Sequence, residues 1–257
     1  MKNAKKRFWE FKNAANSAEI GELYIYGAVT SYKWDDNDPD VTAASFNDDL
    51  KALGAIKTLN LYINSPGGSV FQGQAIHSIL KRHPANKIAH IDGLAASISS
   101  VIPMACDTIY MPLNASMMIH KPWNGVVGNA NDFRKAADDM DKIEETLIEA
   151  YMGKAGDKLD RERLVAMLND ETWLTAQECY DLGLCDVVGE AKEVAACIDE
   201  EWRAKYSKMP DFVAKMAPKQ PEMSEEERKF RAQLVAEAEH SIATINFALG
   251  GLTNEIV

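Results

Sequence analysis

The sequence is poor in features that would each point to a particular class of protein. It has four cysteines in 257 residues, and none of them has CxxC or CxxH spacing. This pattern argues against a zinc site or a disulfide scaffold and predicts a reduced, cytoplasmic protein. No apolar run approaches the roughly 18 residues of a membrane helix. The first twelve residues lack the apolar core of a signal peptide, so we expect neither a membrane span nor secretion.

Basic residues are scarce relative to acidic ones. The chain has 28 lysines and arginines against 39 aspartates and glutamates, which gives a formal charge of −11. A protein that binds nucleic acid through its phosphates needs a basic face, so we expect no nucleic-acid partner. Apolar residues are abundant, at 46% of the total. They suffice for one large packed domain, or for one domain with an appendage.

Strand-like and helix-like segments alternate along the first half of the chain. Alternating β-rich segments predict strands, and apolar residues at helical spacing predict helices. In chain order we predict a strand at 22–29, a helix at 42–53, a strand at 58–63, a helix at 70–82, a strand at 87–91, a helix at 93–106, and strands at 108–111 and 116–119. This alternation predicts βαβ units and an α/β fold.

The second half of the sequence is dominated by a long amphipathic helix, predicted over 131–151. Its apolar residues form one stripe, and its opposite face is mostly acidic. A helix of this length spans about 30 Å and is long enough to pack on a neighbouring subunit. Shorter helices at 160–168 and 174–183 and a closing strand at 185–188 follow.

Composition divides the chain into three regions. A basic and aromatic lead occupies residues 1–20, and the α/β domain occupies residues 21–205. Prolines mark a linker at the start of residues 206–257, and a charged helix is predicted from Ser224 to about Phe247.

Two turns made of small residues each follow a predicted strand. The first is Asn64-Ser-Pro-Gly-Gly-Ser69, whose N–H groups could bind an anion, although a plain Pro-Gly turn explains it equally well. The second, Gly93-Leu-Ala-Ala-Ser97, places a serine at a helix start, as a nucleophile or only as an N-cap. Neither turn is a P-loop, a GxGxxG motif or a GxSxG elbow.

Among the five histidines, His120 stands out because it ends an apolar strand before a loop, where its side chain can face a cleft. A histidine at such a position is either catalytic or structural. No histidine belongs to an HExxH pair, so we expect no metal site.

Together these motifs resemble the Clp protease proteolytic subunit family, over residues 22–190. The Ser-Pro-Gly-Gly-Ser turn, Gly-Leu-Ala-Ala-Ser97, Met-Met-Ile-His120 and the Trp-Leu-Thr-Ala block that leads to Asp186 occur in the family's order. The short lead and the Glu-Thr-Trp-Leu-Thr-Ala block are most similar to the head-maturation proteases of phages and prophages. The resemblance implies a crotonase-like fold of stacked βαβ units with a protruding handle helix. It also implies a serine endopeptidase that needs no cofactor.

The resemblance also assigns roles to individual residues. It implies Ser97 as nucleophile, His120 as general base and Glu171 as the acid of the triad. The family usually has an aspartate in the last position, so Asp170 is an alternative acid. The oxyanion hole would be formed by the N–H groups of Gly68 and Ile98, and the edges that bind an extended substrate by Ser69, Val70, Gly125 and Val126.

Partners implied by the resemblance are a polypeptide substrate and other copies of the chain. Family members form heptameric rings, and the handle helix joins two rings around a chamber. ATP-driven AAA+ unfoldases feed these rings, but here the segment 5–12 replaces the family's gating loops. A capsid or scaffold protein is therefore an alternative partner.

Two other functions remain open at this stage. The chain could be a non-catalytic, ring-forming capsid-assembly module in which the triad is vestigial. It could also be a crotonase-type acyl-CoA enzyme, since these enzymes build an oxyanion hole from two backbone amides on the same fold. Ser97 and His120 argue against the second reading.

Overall fold

The computed structural model describes residues 7–15, 17–30, 41–191, 200–210 and 213. All of them belong to one unit of the chain, Met1–Pro218. Cys197 and the charged helix predicted from Ser224 lie outside the described residues. The described part is organised around an eight-stranded sheet.

Six of the strands lie side by side in the sheet. In spatial order they are β1 (Trp9–Ala14), β2 (Ser17–Tyr26), β3 (Thr58–Ser65), β4 (Asn86–Ala96), β5 (Thr108–Pro112) and β8 (Val187–Gly189). Two further strands are β6 (Ser116–Ile119), which pairs with the carboxyl end of β4, and β7 (Thr172–Thr175), which pairs with β6. The β1–β2 and β6–β7 pairs are antiparallel, and the other pairs are parallel.

Helices connect the strands, as the βαβ prediction requires. They are α1 (Ala43–Ala52), α2 (Val70–Arg82), α3 (Ile98–Val101), α4 (Ala130–Ala155), α5 (Arg161–Asn169), α6 (Ala176–Asp181) and α7 (Glu200–Lys205). The main core joins Phe46 of α1 and Ile76 of α2 to Leu59, Leu61 and Ile63 of β3, all fully buried. Each such side chain contributes about 1.5–3 kcal/mol through burial.

Two predicted helices begin later than expected. The helix predicted at 174–183 begins at Ala176, because Leu174 and Thr175 belong to β7. Residues 93–96, predicted to open a helix, instead extend β4 to Ala96, because Leu94 and Ala96 pair with Ser116 and Met118 of β6. The helix begins only at Ile98, and a 3-10 turn replaces it at Ile102–Ala105, around Pro103.

The basic lead contributes a strand that the sequence did not predict. β1 pairs with β2 over the register Trp9↔Ile25 to Ala14↔Ser17. Trp9 is buried and its ring packs edge-on against Phe46 at 5.5 Å between centroids. The aromatic residues of the lead therefore belong to the core of the α/β domain.

The long helix is α4, which exceeds its predicted bounds at both ends. Only its carboxyl-terminal half is buried, at residues that include Leu147 and Tyr151, whereas Phe133 near the other end is 54% exposed. The apolar stripe thus runs beyond the core of this subunit. Within the described residues, no helix combines the length and apolar content needed to cross a membrane.

Candidate active site

Ser97 lies at the junction between β4 and α3. Its backbone has φ 55° and ψ −133°, a conformation that costs a non-glycine residue about 1–3 kcal/mol. The Ser97 N–H donates to the Met118 carbonyl of β6 at 2.8 Å. Strand β6 therefore holds the turn in place. Ser97 is the one residue between β4 and α3, so its side chain belongs to neither element.

Two further serines, Ser99 and Ser100, stabilise this turn through side-chain hydrogen bonds. Ser99 Oγ donates to the Ser65 carbonyl at 2.8 Å. Ser100 Oγ donates to the Ser97 carbonyl at 2.5 Å and lies 2.7 Å from the Tyr151 hydroxyl of α4. Both serines are fully buried. These supports were not predicted. The only signal for them in the sequence is the cluster of serines at 97, 99 and 100, and nothing marks Tyr151 as a partner.

His120 follows β6 directly. The parallel register places Met118 of β6 opposite Ala96 of β4, so the residues after these strands come together. His120 Nε2 lies 2.8 Å from Ser97 Oγ. Burial lowers the pKa of His120, and the negative charge of Glu171 only partly opposes this effect. A neutral imidazole in this position can accept the proton of the hydroxyl.

The glycine turn after β3 packs directly against Ser97. Gly67 and Gly68 have φ of 95° and 143°. A Cβ on Gly67 would lie 2.7 Å from Ser97 Cβ, and a Cβ on Gly68 would lie 2.1 Å from the Val29 carbonyl oxygen. Both the conformation and the close contacts therefore require glycine.

The backbone pattern around Gly68 leaves its N–H unused by the sheet. Val29 and Gly68 form a parallel bridge. In this bridge the Val29 N–H donates to the Gly67 carbonyl and the Ser69 N–H donates to the Val29 carbonyl, each at 2.7 Å. The Gly68 N–H is consequently directed to the opposite side. The Ile98 N–H also donates no hydrogen bond among the residues that the structure describes, because it lies in the first turn of α3, where amides have no acceptor within the helix.

Glu171 lies between α5 and β7, in the left-handed region with φ 49°. Its Oε2 accepts hydrogen bonds from the Ser207 N–H at 3.0 Å and from Ser207 Oγ at 2.8 Å, and its Oε1 accepts from the Lys208 N–H at 2.7 Å. Partial burial acts to raise the pKa of this carboxyl, but the hydrogen bonds outweigh burial and lower the pKa. In the described part of the chain, Glu171 makes no hydrogen bond to His120.

Asp170 is the other candidate acid, and its side chain contacts Lys208. Its carboxylate is 73% exposed and forms an ion pair with Lys208. No hydrogen bond links it to His120 among the residues that the structure describes. Of the two carboxylates, only Glu171 influences the pKa of His120. The structure therefore brings Ser97 and His120 into contact and holds both carboxylates on residues 207–208.

The segment after α7 forms a second apolar cluster beside these residues. Tyr206 is buried with Leu94, Ala96 and Met118, on strands β4 and β6. Its ring lies edge-on to His120 at 5.9 Å between centroids. This position was not predicted, because the sequence assigns residue 206 to a linker.

A family model described as Clp protease matches residues 40–192. The match covers more than half of the chain. The chain belongs to the Clp protease family. The fold expected from the resemblance is confirmed, since a central mixed sheet with a long helix is the fold of this family. Membership also implies that the protein is a peptidase.

The four residues expected to bind substrate lie on two segments of this Clp protease. Ser69 is the N-cap residue of α2, and its N–H donates a hydrogen bond to the Val29 carbonyl. Val70 is the first residue of α2 and packs against the core. Gly125 and Val126 lie in the irregular segment between β6 and α4, and nothing approaches the Gly125 Cβ position within 4 Å. Both segments begin next to a candidate catalytic group.

The described residues of this Clp protease include no candidate metal site. No group of three or more His, Cys, Asp or Glu side chains there could hold a metal ion. Cys106, Cys179 and Cys185 are buried as free thiols.

Proposed function

We propose that this Clp protease is a serine endopeptidase in which Ser97 is the nucleophile and His120 is the general base. The 2.8 Å contact between Ser97 Oγ and His120 Nε2 carries the proposal. A serine hydroxyl is a weak nucleophile unless an adjacent base accepts its proton. The lowered pKa of His120 supports this role, because it favours the neutral imidazole that a base requires.

The reaction then has two halves. Ser97 Oγ attacks the carbonyl carbon of the scissile peptide bond while His120 Nε2 takes the hydroxyl proton. His120 returns this proton to the leaving amine, and an acyl-enzyme remains on Ser97. His120 then takes a proton from water as the water oxygen attacks the carbonyl carbon of the acyl-enzyme. His120 gives this proton to Ser97 Oγ as the bond between Oγ and the acyl carbon breaks, which releases the second product and restores the serine hydroxyl. These steps use no metal or organic cofactor.

The negative charge that develops on the carbonyl oxygen needs hydrogen-bond donors. We assign this role to the N–H groups of Gly68 and Ile98. The proposal is supported by the bridge to Val29, which leaves the Gly68 N–H unused. It is also supported by the contact of Gly67 with Ser97, which sets the turn against the nucleophile. Such donors are already oriented before the reaction begins and usually supply a large share of catalysis.

We propose Glu171 as the acid of the triad, with Asp170 as the alternative. Glu171 is favoured because its charge raises the pKa of His120, as a carboxylate that stabilises an imidazolium must do. A peptide substrate would bind in an extended form along Ser69 and Val70 on one side and Gly125 and Val126 on the other.

Assembly into a heptameric ring or double ring is part of the proposal. It is supported by the apolar residues that this subunit leaves exposed near the start of α4, namely Trp123 at 62%, Val127 at 103% and Phe133 at 54%. Exposed apolar groups of this size commonly mark protein interfaces. The polypeptide substrate would reach the chamber from an AAA+ unfoldase or from a capsid or scaffold protein.

The biological setting that we propose is phage head maturation, or protein degradation, in the cytoplasm. Only the similarity of the short lead and of the block at 171–176 to phage proteases supports head maturation. Within this setting, residues 206–257 would form an extension whose first residues, Tyr206 to Lys208, pack on the protease domain.

A fluorophosphonate probe tests the proposed function. We expect the assembled protein to be labelled at Ser97 and to cleave an unstructured polypeptide. The Ser97→Ala variant should lose both activities, by about 10⁴-fold to 10⁶-fold in cleavage. Ser78→Ala is the matched control, because Ser78 is an exposed serine of α2. If the protein is not labelled, or if cleavage survives in Ser97→Ala, the proposal is wrong.

A non-catalytic ring-forming module is the second candidate function. One observation favours it, namely that neither Asp170 nor Glu171 is hydrogen-bonded to His120 among the described residues. This candidate predicts rings without labelling of Ser97, so the same probe separates the two functions.

A further inference from the structure

A short stretch of chain after the matched family region lies on the proposed catalytic face. Residues 202–208 comprise the end of α7 and the three residues that follow it. They contact the site at three separate places, which are the glycine turn, His120 and the acid residue. These contacts join residues far apart in the sequence, so local chain geometry does not explain them.

Tyr206 is the anchor of this stretch. Its hydroxyl donates to the carbonyl of Pro66, the residue directly before Gly67 and Gly68. Its ring packs edge-on against His120 at 5.9 Å and against Trp173 at 5.7 Å. The side chain is only 6% exposed. Tyr206 therefore bridges the glycine turn and His120, which form two sides of the proposed catalytic face.

The residues after Tyr206 hold the acid. Ser207 and Lys208 together donate three hydrogen bonds to Glu171, at 2.7–3.0 Å, and these occupy both carboxylate oxygens. These bonds hold the carboxylate on residues 207–208, and among the described residues no hydrogen bond joins it to His120. The electrostatic effect of Glu171 on His120 persists, which indicates that the two groups are near each other without being bonded.

We propose that residues 202–208 are a built-in blocking segment that covers the catalytic face and holds Glu171 away from His120. Its displacement by substrate or by a partner would open the face and release Glu171 to complete the triad. This inference rests on the proposed function, because it assigns a resting state to the same site. It makes the segment a regulatory element of this chain.

The test uses the full-length protein and three substitutions in the segment. Tyr206→Ala removes the anchor, Tyr206→Phe removes only the hydroxyl bond to Pro66, and Ser207→Ala removes one hydrogen bond to Glu171. Ala204→Ser is the matched control, because Ala204 is exposed on α7. Thermal unfolding checks that each variant is folded. Tyr206→Phe and Ser207→Ala keep the test decisive if Tyr206→Ala does not fold.

The first readout is the rate at which the fluorophosphonate probe labels Ser97. Loss of a packed ring and of a buried hydrogen bond should raise this rate about tenfold in Tyr206→Ala. Tyr206→Phe and Ser207→Ala should give smaller increases, and Ala204→Ser should match the unsubstituted protein. If all folded variants are labelled at the same measurable rate, the blocking segment is overturned while the protease function stays intact.

The second readout is the pKa of His120, measured by NMR on histidine-labelled protein, and it does not depend on activity. Removing Tyr206 rehydrates the imidazole and frees Glu171, and both changes raise this pKa. Because only neutral His120 acts as a base, the acidic limb of the pH profile should move to higher pH. Adding Glu171→Gln to Tyr206→Ala should cancel part of the rise.

The two readouts separate failure of this inference from failure of the proposed function. A raised pKa of His120 without labelling of Ser97 in any variant would support the covering contact and overturn the protease. An unchanged pKa would overturn the blocking segment, whatever the labelling shows.

Discussion

The two halves of the candidate site are built by different kinds of structure. Ser97 and His120 follow adjacent strands, and the main-chain register of β4 with β6 fixes their 2.8 Å contact. Glu171 instead lies in a connection between α5 and β7, and side-chain and main-chain groups 36 residues further along bind it. The first half is therefore set by the core of the sheet, whereas the second depends on contacts with the proposed blocking segment.

The largest effect is expected in the half fixed by the sheet. His120→Gln removes the base, so the rate of peptide cleavage should fall by about 10⁴-fold or more. His77→Gln is the matched control, since His77 lies on α2 and its pKa is also lowered by burial. Cleavage of an unstructured polypeptide is measured for both variants. Equal rates for the two would show that the contact of His120 with Ser97 is not catalytic.

The glycine turn should give the next largest effect. Gly68→Ala places a Cβ 2.1 Å from the Val29 carbonyl at a φ of 143°, so the turn must move. Displacement of one oxyanion donor lowers the cleavage rate by about 10²-fold to 10³-fold. The strain should also lower the free energy of unfolding by about 1–3 kcal/mol.

Gly153→Ala is the control for that substitution. Gly153 lies in α4, and a Cβ added there would meet no atom within 4 Å. Alanine should therefore stabilise the helix by up to about 1 kcal/mol. Cleavage and chemical denaturation are measured on both variants. A Gly68→Ala protein that cleaves normally would remove Gly68 from the oxyanion hole.

The same contrast explains what could be predicted from the sequence. An alternating pattern predicted β3 and helical spacing predicted α2, because each element buries one face against the same core. The turn at Ser97 and the position of His120 followed from motifs at strand ends. The extension of β4 through Gly93 was missed, since its hydrogen bonds come from β6, which is remote in the sequence. Local propensity carries no information about such a partner.

The part of the site that contains Asp170 and Glu171 was the hardest to predict, because its contacts also come from residues remote in the sequence. The sequence marks Asp170 and Glu171 as neighbours of equal chemistry, and nothing local distinguishes them. The structure separates them through contacts with residues 207–208, where Glu171 accepts main-chain N–H groups and Asp170 pairs with the exposed Lys208 side chain. Tyr206 was assigned to a linker, because a single aromatic residue that packs against distant strands produces no periodic pattern of apolar residues in the sequence.

The smallest effects are expected in this half, and they distinguish the two acids. Glu171→Gln and Asp170→Asn are compared in the Tyr206→Ala background, so that loosening of the blocking segment affects both equally. Glu171→Gln removes the charge that raises the pKa of His120, so the cleavage rate should fall about tenfold or more. Asp170→Asn removes only an exposed ion pair, worth at most about 1 kcal/mol, and should change cleavage by less than about twofold. The reverse order would make Asp170 the acid, and the site would then need a rearrangement of the connection between α5 and β7.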